Sequence, residues 1–272
     1  MYSKLIYIKE FFSHSCAVEP ELGIVAASGM SEELKKAVKV SFSISFDKIP
    51  GLPQIINCTR FPKFILGRIG KLPVIILDGL IPMTEGREIK HVIMPIRIMC
   101  MLGIKNMIFT NVCDSMNPNF NVGDIMLIRN YVSEFLPNDI TSRGIDEVGV
   151  NFYDIGGKSS KDFKNDILAV AENNGIELKE GDYIQSLQKT FTQKEVSVLR
   201  SRLCDAIGFG LVPESIAVAQ MGTKLIGLTA VVGEFGKEIS KEDYQANLQE
   251  GIDKVSKFVL SYCRFVNAKD FV

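Results

Sequence analysis

The sequence predicts a single-domain α/β fold built around a central sheet. Two observations carry this: short β-rich runs alternate with helical stretches throughout, and no linker, repeat or low-complexity tract divides them. With 272 residues the chain can bury roughly three quarters of the surface its unfolded form exposes, so it needs no staple.

The elements follow in order. Leu22 to Ala27 is a buried-strand run, broken at Ser28-Gly29 before a helix from Ser31 to Val38. Residues 63–79 read as a hairpin, with two apolar strands flanking a turn at Gly70-Lys71. From Ile89 to Leu102 apolar residues recur at helical spacing, and Gly103 stops that helix. Met107 to Asn111 is a short buried strand and Asp124 to Arg129 another. Residues 133–161 are polar, rich in Gly, Asn and Ser and without a clear period; a loop this long is either a functional lid or unfolded. A helix over Lys161–Asn174, a strand near Tyr183–Leu187 and a helix opening near Thr192 come next. Thr192 followed three residues later by Glu195 fits a capping box. Asp205-Ala206-Ile207-Gly208, a helix over Pro213–Gly222, a strand over Leu225–Val232 and a long helix from Lys241 to Phe265 finish the chain. The resulting division is an N-terminal extension (1–20), one domain (21–265) and a C-terminal tail (266–272).

Composition excludes several functions. Apolar residues are 46%, charged residues 23% and the net charge −1, with no basic or acidic block to serve a nucleic acid or an anionic membrane. No apolar run reaches the ~20 residues of a membrane helix, and the start lacks a signal peptide, so a cytoplasmic location is expected. The six cysteines are scattered, neither CxxC nor HxxxH spacing occurs, and the two histidines are His14 and His91; no metal site is expected.

Four segments carry a resemblance. Thr110-Asn111 with Asn117-Pro118-Asn119-Phe120-Asn121-Val122-Gly123-Asp124 is one, and Met83-Thr84-Glu85-Gly86 with Met94-Pro95-Ile96-Arg97 the second. Asp205-Ala206-Ile207-Gly208 with Val212-Pro213-Glu214 is the third, and Ala27-Ser28-Gly29 the fourth. In order and spacing they resemble the trimeric purine nucleoside phosphorylases, over about Glu21 to Tyr262. The resemblance implies a mixed, partly barrel-like sheet flanked by helices and a homotrimer. It implies phosphate attack on a purine nucleoside to give base and ribose 1-phosphate, with inorganic phosphate as co-substrate and no other cofactor.

That chemistry needs donors around phosphate, a fixed ribose and a protonated or hydrogen-bonded leaving base. Carried over by the resemblance, phosphate falls to Ser28, Arg60 and Val112. The nucleoside falls to Asn111, Thr84, Phe152, Phe191, Thr192, Phe209 and Gly233, with Phe152 donated across the trimer interface. Many of these depart from the family's residue types. The family's phosphate-binding arginine is Leu80 here, a histidine is Pro82, and the sugar-contacting tyrosine is Thr84. Its base-gripping glutamate is Thr192, its base-contacting asparagine Gly233, and a histidine of the last helix Leu248. Its two consecutive glycines after the central strand are Asp114 and Ser115, which brings a carboxylate near a phosphate site, the wrong sign for an anion.

Four residues read two ways. Arg60 is a replacement anion clamp or an exposed loop arginine, and Cys113 a reactive or a buried thiol. Thr192 is a base contact or a helix cap, and Glu234 a base contact or a surface carboxylate. Thr192 and Glu234 are the only catalytic candidates. Losing one preorganised donor costs about 10²–10³-fold in turnover, so the expectation is a subunit inactive or strongly impaired in phosphorolysis. It would bind a ligand or act structurally, possible also in mixed trimers with an active relative. The alternative is an active phosphorylase with a remodelled site and altered specificity.

Overall fold

The computed structural model describes residues 2–15, 19–50, 52, 61–133 and 161–269. The calls on Arg60, on Phe152 and on most of the 133–161 loop fall outside these residues.

The chain opens with helix α1 (Tyr2–Ser15), then β1 (Leu22–Ala26), α2 (Glu32–Ala37) and β2 (Val38–Ser45). The hairpin is β3 (Lys63–Ile69) and β4 (Leu72–Asp78), antiparallel and in register from Lys63 opposite Asp78 to Ile69 opposite Leu72. The single helix expected over 89–102 is two, α3 (Ile89–Val92) and α4 (Met94–Met101). The break falls at Ile93, just before Pro95, which has no N–H to continue the ladder. Then come β5 (Asn106–Ser115), β6 (Ile125–Val132), α5 (Lys161–Asn173), β7 (Leu178–Gln185) and α6 (Gln193–Arg200). Last are β8 (Ala206–Gly208), α7 (Val212–Gln220), β9 (Lys224–Glu234) and α8 (Lys241–Lys269).

The nine strands form one mixed sheet in the order β2-β3-β4-β1-β5-β8-β7-β6-β9, with a further pairing of β9 back onto β5. That pairing closes β5, β8, β7, β6 and β9 into a ring, and the other four strands extend from β5 as an open wing. The partly barrel-like sheet is thus present. The period-2 alternation of side chains splits each inner strand between two cores. Leu22, Ile24, Val74, Ile76 and Ile108 face a core shared with α2, α5 and α8. Val25, Ile75, Leu77, Met107 and Phe109 face the core of α1, α3, α4 and α7. A smaller cluster around Val196, Leu199, Ile207 and Phe235 seats α6.

Three further elements differ from expectation. The N-terminal extension carries α1, whose Ile8 and Phe12 are buried and whose Phe12 ring meets Phe42 and Phe64 edge-on. Strand β2 was not expected. Strand β5, expected to end at Asn111, runs on through Val112-Cys113-Asp114-Ser115 and pairs there with β9 and β8. Among the described residues no helix is long and apolar enough to cross a membrane, and no cluster of three metal-ligating side chains occurs.

Candidate functional site

In sheets with parallel strands, ligands bind beyond the carboxyl ends of those strands. Strands β1, β4 and β5 are parallel neighbours, and their carboxyl-terminal stretches run into Ala27, Leu80 and Asn111. All three residues line a cavity of about 180 Å³. A larger hollow of about 740 Å³ sits at the opposite ends, beside Leu22 and Asn106, and takes in none of the expected site residues.

A chain of hydrogen bonds runs through the cavity floor. Ser28 Oγ donates to Asn111 Oδ1 at 3.1 Å, and Asn111 Nδ2 donates to Tyr183 Oη at 3.0 Å. Tyr183 Oη in turn donates to the Gly210 carbonyl at 2.9 Å. The Ser28 and Tyr183 hydroxyl protons are both spent on the next acceptor. The Tyr183 hydroxyl fits only because residue 208 is glycine, since a Cβ there would lie 2.1 Å from it. Ser28 has one hydroxyl proton, and Asn111 holds it. The backbone amides after Ser28 are also engaged, Gly29 N–H with the Ala26 carbonyl at 2.9 Å and Met30 N–H with Asp78 Oδ1 at 3.1 Å.

The wall on one side is apolar. Leu80, Ile81, Pro82 and Met83 form it, and Val112 and Phe209 also line the cavity. Thr84 lies next to Met83 in a single 3-10 turn, half-buried. Opposite stand Gln185 and Glu214, 1% and 2% exposed. Gln185 Oε1 accepts from Val212 N–H, while Gln185 Nε2 and Glu214 Oε2 are buried without a hydrogen-bond partner. Burial pushes the Glu214 carboxyl up to about 7. The described residues lining this cavity include no lysine, arginine or histidine.

The residues expected at the base lie outside this cavity. Phe191 packs edge-on against Phe235 with ring centroids 5.0 Å apart. Thr192 is exposed and caps α6: its Oγ1 accepts from Glu195 N–H at 3.3 Å, and its N–H donates to Glu195 Oε2 at 2.7 Å. Glu234 pairs with Lys237 at 2.5 Å and Arg200 at 3.4 Å, and the Lys237 hydrogen bond holds its carboxyl below the usual range. Gly233 pairs with Asp114 across β5 and β9. Asp114 is therefore a strand residue next to Gly233, and it is not part of the apolar wall where a carboxylate would face an anion. Cys113 is buried, and burial pushes its thiol up to about 12, so it is not a ready nucleophile.

The structure thus gathers Ser28, Asn111, Val112 and Phe209 about one cavity and sets Phe191, Thr192, Gly233 and Glu234 apart from it. Tyr183, Gln185 and Gly210 were not expected. Tyr183 and Gln185 lie in the strand expected near Tyr183–Leu187, which runs from Leu178 to Gln185, but only their neighbours on β8 and α7 bring them to the cavity.

Residues 21–264 match the sequence model of the Phosphorylase superfamily. The chain is 25% identical to purine nucleoside phosphorylase 1 of Geobacillus stearothermophilus over 95% of this chain and 93% of that protein. It is 27% identical to the purine nucleoside phosphorylase of Rattus norvegicus, covering 88% and 87% of the two chains. A Schistosoma purine nucleoside phosphorylase solved with hypoxanthine superimposes with a TM-score of 0.85 at 21% identity, covering 96% of each chain. Isoform 2 from Schistosoma mansoni, solved with cytosine and ribose-1-phosphate, gives 0.86 at 22% identity, again over 96% of each.

Proposed function

Since the chain belongs to the Phosphorylase superfamily, among its purine nucleoside phosphorylases, we propose that it is a member with phosphorolysis lost or strongly impaired, its cleft kept for binding. One observation carries this reading. The cavity at the strand ends is walled by Leu80, Ile81, Pro82 and Met83 and faces the Glu214 carboxyl, with no cation among its described lining residues.

Phosphate brings negative charge and acceptor oxygens only, so a site for it supplies donors and positive charge. Here the Ser28 proton goes to Asn111, and the nearby Gly29 and Met30 amides are taken by the chain itself, which leaves the neutral Gln185 amide as the unpartnered donor in the described lining. Ionised, Glu214 repels an anion; protonated, it offers a single O–H in place of a guanidinium fork. At the other end Thr192 and Glu234, the catalytic candidates, are occupied by a helix cap and by two cations. The same reading takes the chain as a cytoplasmic trimer, with mixed trimers as a further form, and as needing no cofactor.

The test is phosphorolysis of inosine, guanosine and adenosine at high phosphate. The expected rate is at least about 10³-fold below that of a catalytic relative, because more than one donor is absent. Ready turnover that disappears in Ser28→Ala sinks the proposal.

A further inference from the structure

The hollow of about 740 Å³ at the amino-terminal ends of the strands lies within the roughly 300–1,000 Å³ usual for small-molecule sites. It is separate from the cleft. Leu22, at the start of β1, lines the hollow, and Ala27, just past the end of β1, lines the cleft, about 17 Å away along the strand. Strand β5 joins the same two places, with Asn106 in the hollow and Asn111 in the cleft.

The floor of the hollow is apolar and fixed. Phe12 of α1, Leu22 of β1, Leu66 of β3 and Leu72 of β4 supply it, and each is at most 6% exposed. Phe12 and Leu66 belong to the core of α1 and α4, Leu22 and Leu72 to that of α8. Packing on both faces of the sheet therefore holds this floor in place.

The rim is charged. Lys9 on α1 and Lys105 just before β5 stand there with Glu19 and Glu21 of the segment entering β1, all four exposed. That segment is tied down, since Glu21 N–H donates to the Pro73 carbonyl at 3.0 Å. None of the four side chains forms an ion pair or hydrogen bond with another of them or with any described residue. Elsewhere on the surface lysine meets glutamate, as Lys164 does Glu180 at 2.9 Å and Lys254 does Glu250 at 2.8 Å.

A molecule that fills the floor brings its outer end against these charges and strips water from them, which is costly unless each finds a partner. An anionic head is repelled by Glu19 and Glu21, a cationic head by Lys9 and Lys105. A head carrying both signs satisfies all four. We propose that the hollow is a second binding site, for a zwitterionic amino acid with a large apolar side chain. Its carboxylate meets the two lysines, its ammonium the two glutamates, and its side chain the leucine floor. The site is independent of whether the cleft binds or turns over a nucleoside.

The test is calorimetric titration of the full chain with L-phenylalanine, N-acetyl-L-phenylalanine and L-phenylalaninamide. L-Phenylalanine is expected to bind at least about fivefold more tightly than either derivative, because each derivative has lost one charge of the head. Lys105→Ala should weaken L-phenylalanine by at least about fivefold and leave L-phenylalaninamide, which has no carboxylate, unchanged. Glu21→Ala should weaken L-phenylalanine equally and leave N-acetyl-L-phenylalanine, which has no ammonium, unchanged. Both side chains are exposed, so Tm should stay level in both variants. Failure of L-phenylalanine to bind, equal binding of all three compounds, or L-phenylalanine affinity unaltered in either variant overturns the proposal.

Discussion

The floor of the cleft and two carboxyls, one in its lining and one farther along β5, are built on opposite principles. Along the floor, Ser28, Asn111, Tyr183 and Gly210 pass hydrogen bonds from one to the next. Glu214 Oε2 in the cavity lining and Asp114 Oδ1 beside Gly233 are buried without a partner. A floor that completes its own bonds holds its shape whether or not anything is bound. Carboxyls that keep an oxygen idle cost stability. The floor is therefore scaffold, and the two carboxyls are where stability has been given up.

Three measurements sharpen that contrast, beginning with the largest expected effect. Glu214 has its folded pKa raised from 4.5 to about 7 by burial, so the folded state holds the proton more tightly than the unfolded chain. The wild type should then lose stability as pH rises from 4.5 to about 7 and level off above, by up to about 3 kcal/mol. Glu214→Gln should flatten that slope in denaturant titrations at pH 5 and pH 8; an unchanged slope would show that the carboxyl is not desolvated. Next, Tyr183→Phe should cost about 1–3 kcal/mol at any pH in this range, because it strands Asn111 Nδ2 and the Gly210 carbonyl. A neutral result would mean that the floor does not depend on its relay. Smallest is Thr192→Ala, expected to cost about 1 kcal/mol by removing the cap of α6. If it also changed nucleoside affinity, Thr192 would have a role at the base that its capping bonds do not reveal.

The framework was legible wherever local pattern and tertiary role agree. The β3–β4 hairpin, the Thr192–Glu195 box and the long terminal helix all sit where composition and spacing put them. Strand β2 was legible too: Val38, Val40, Phe42 and Ile44 alternate with polar residues, the period of a half-buried strand, and went unread. Strand β7 was only partly so. Its first half is Leu178-Lys179-Glu180-Gly181-Asp182, and those charges are tolerated because Asp182 pairs with Arg129 and Glu180 with Lys164 outside the ring. The extension of β5 to Ser115 depends on partners more than 85 residues away on β8 and β9, and no local signal announces them. The replacement of polar groups by Leu80 and Pro82 could be read residue by residue. The position of Asp114 could not, because a bulge decides which strand neighbour it meets.

The closing of β9 onto β5 has a consequence beyond the cleft. A ring of strands has no terminus, so among the described strands β2 is the one at an edge of the sheet. Exposed edges of this kind invite strand-to-strand aggregation unless something spoils the match. Here the spoilers are Lys39, pointing to solvent, and a register irregularity between Val40 and Phe42. Among the described strands, the doorway for propagation by strand addition is β2, and it is guarded by a charge and a kink.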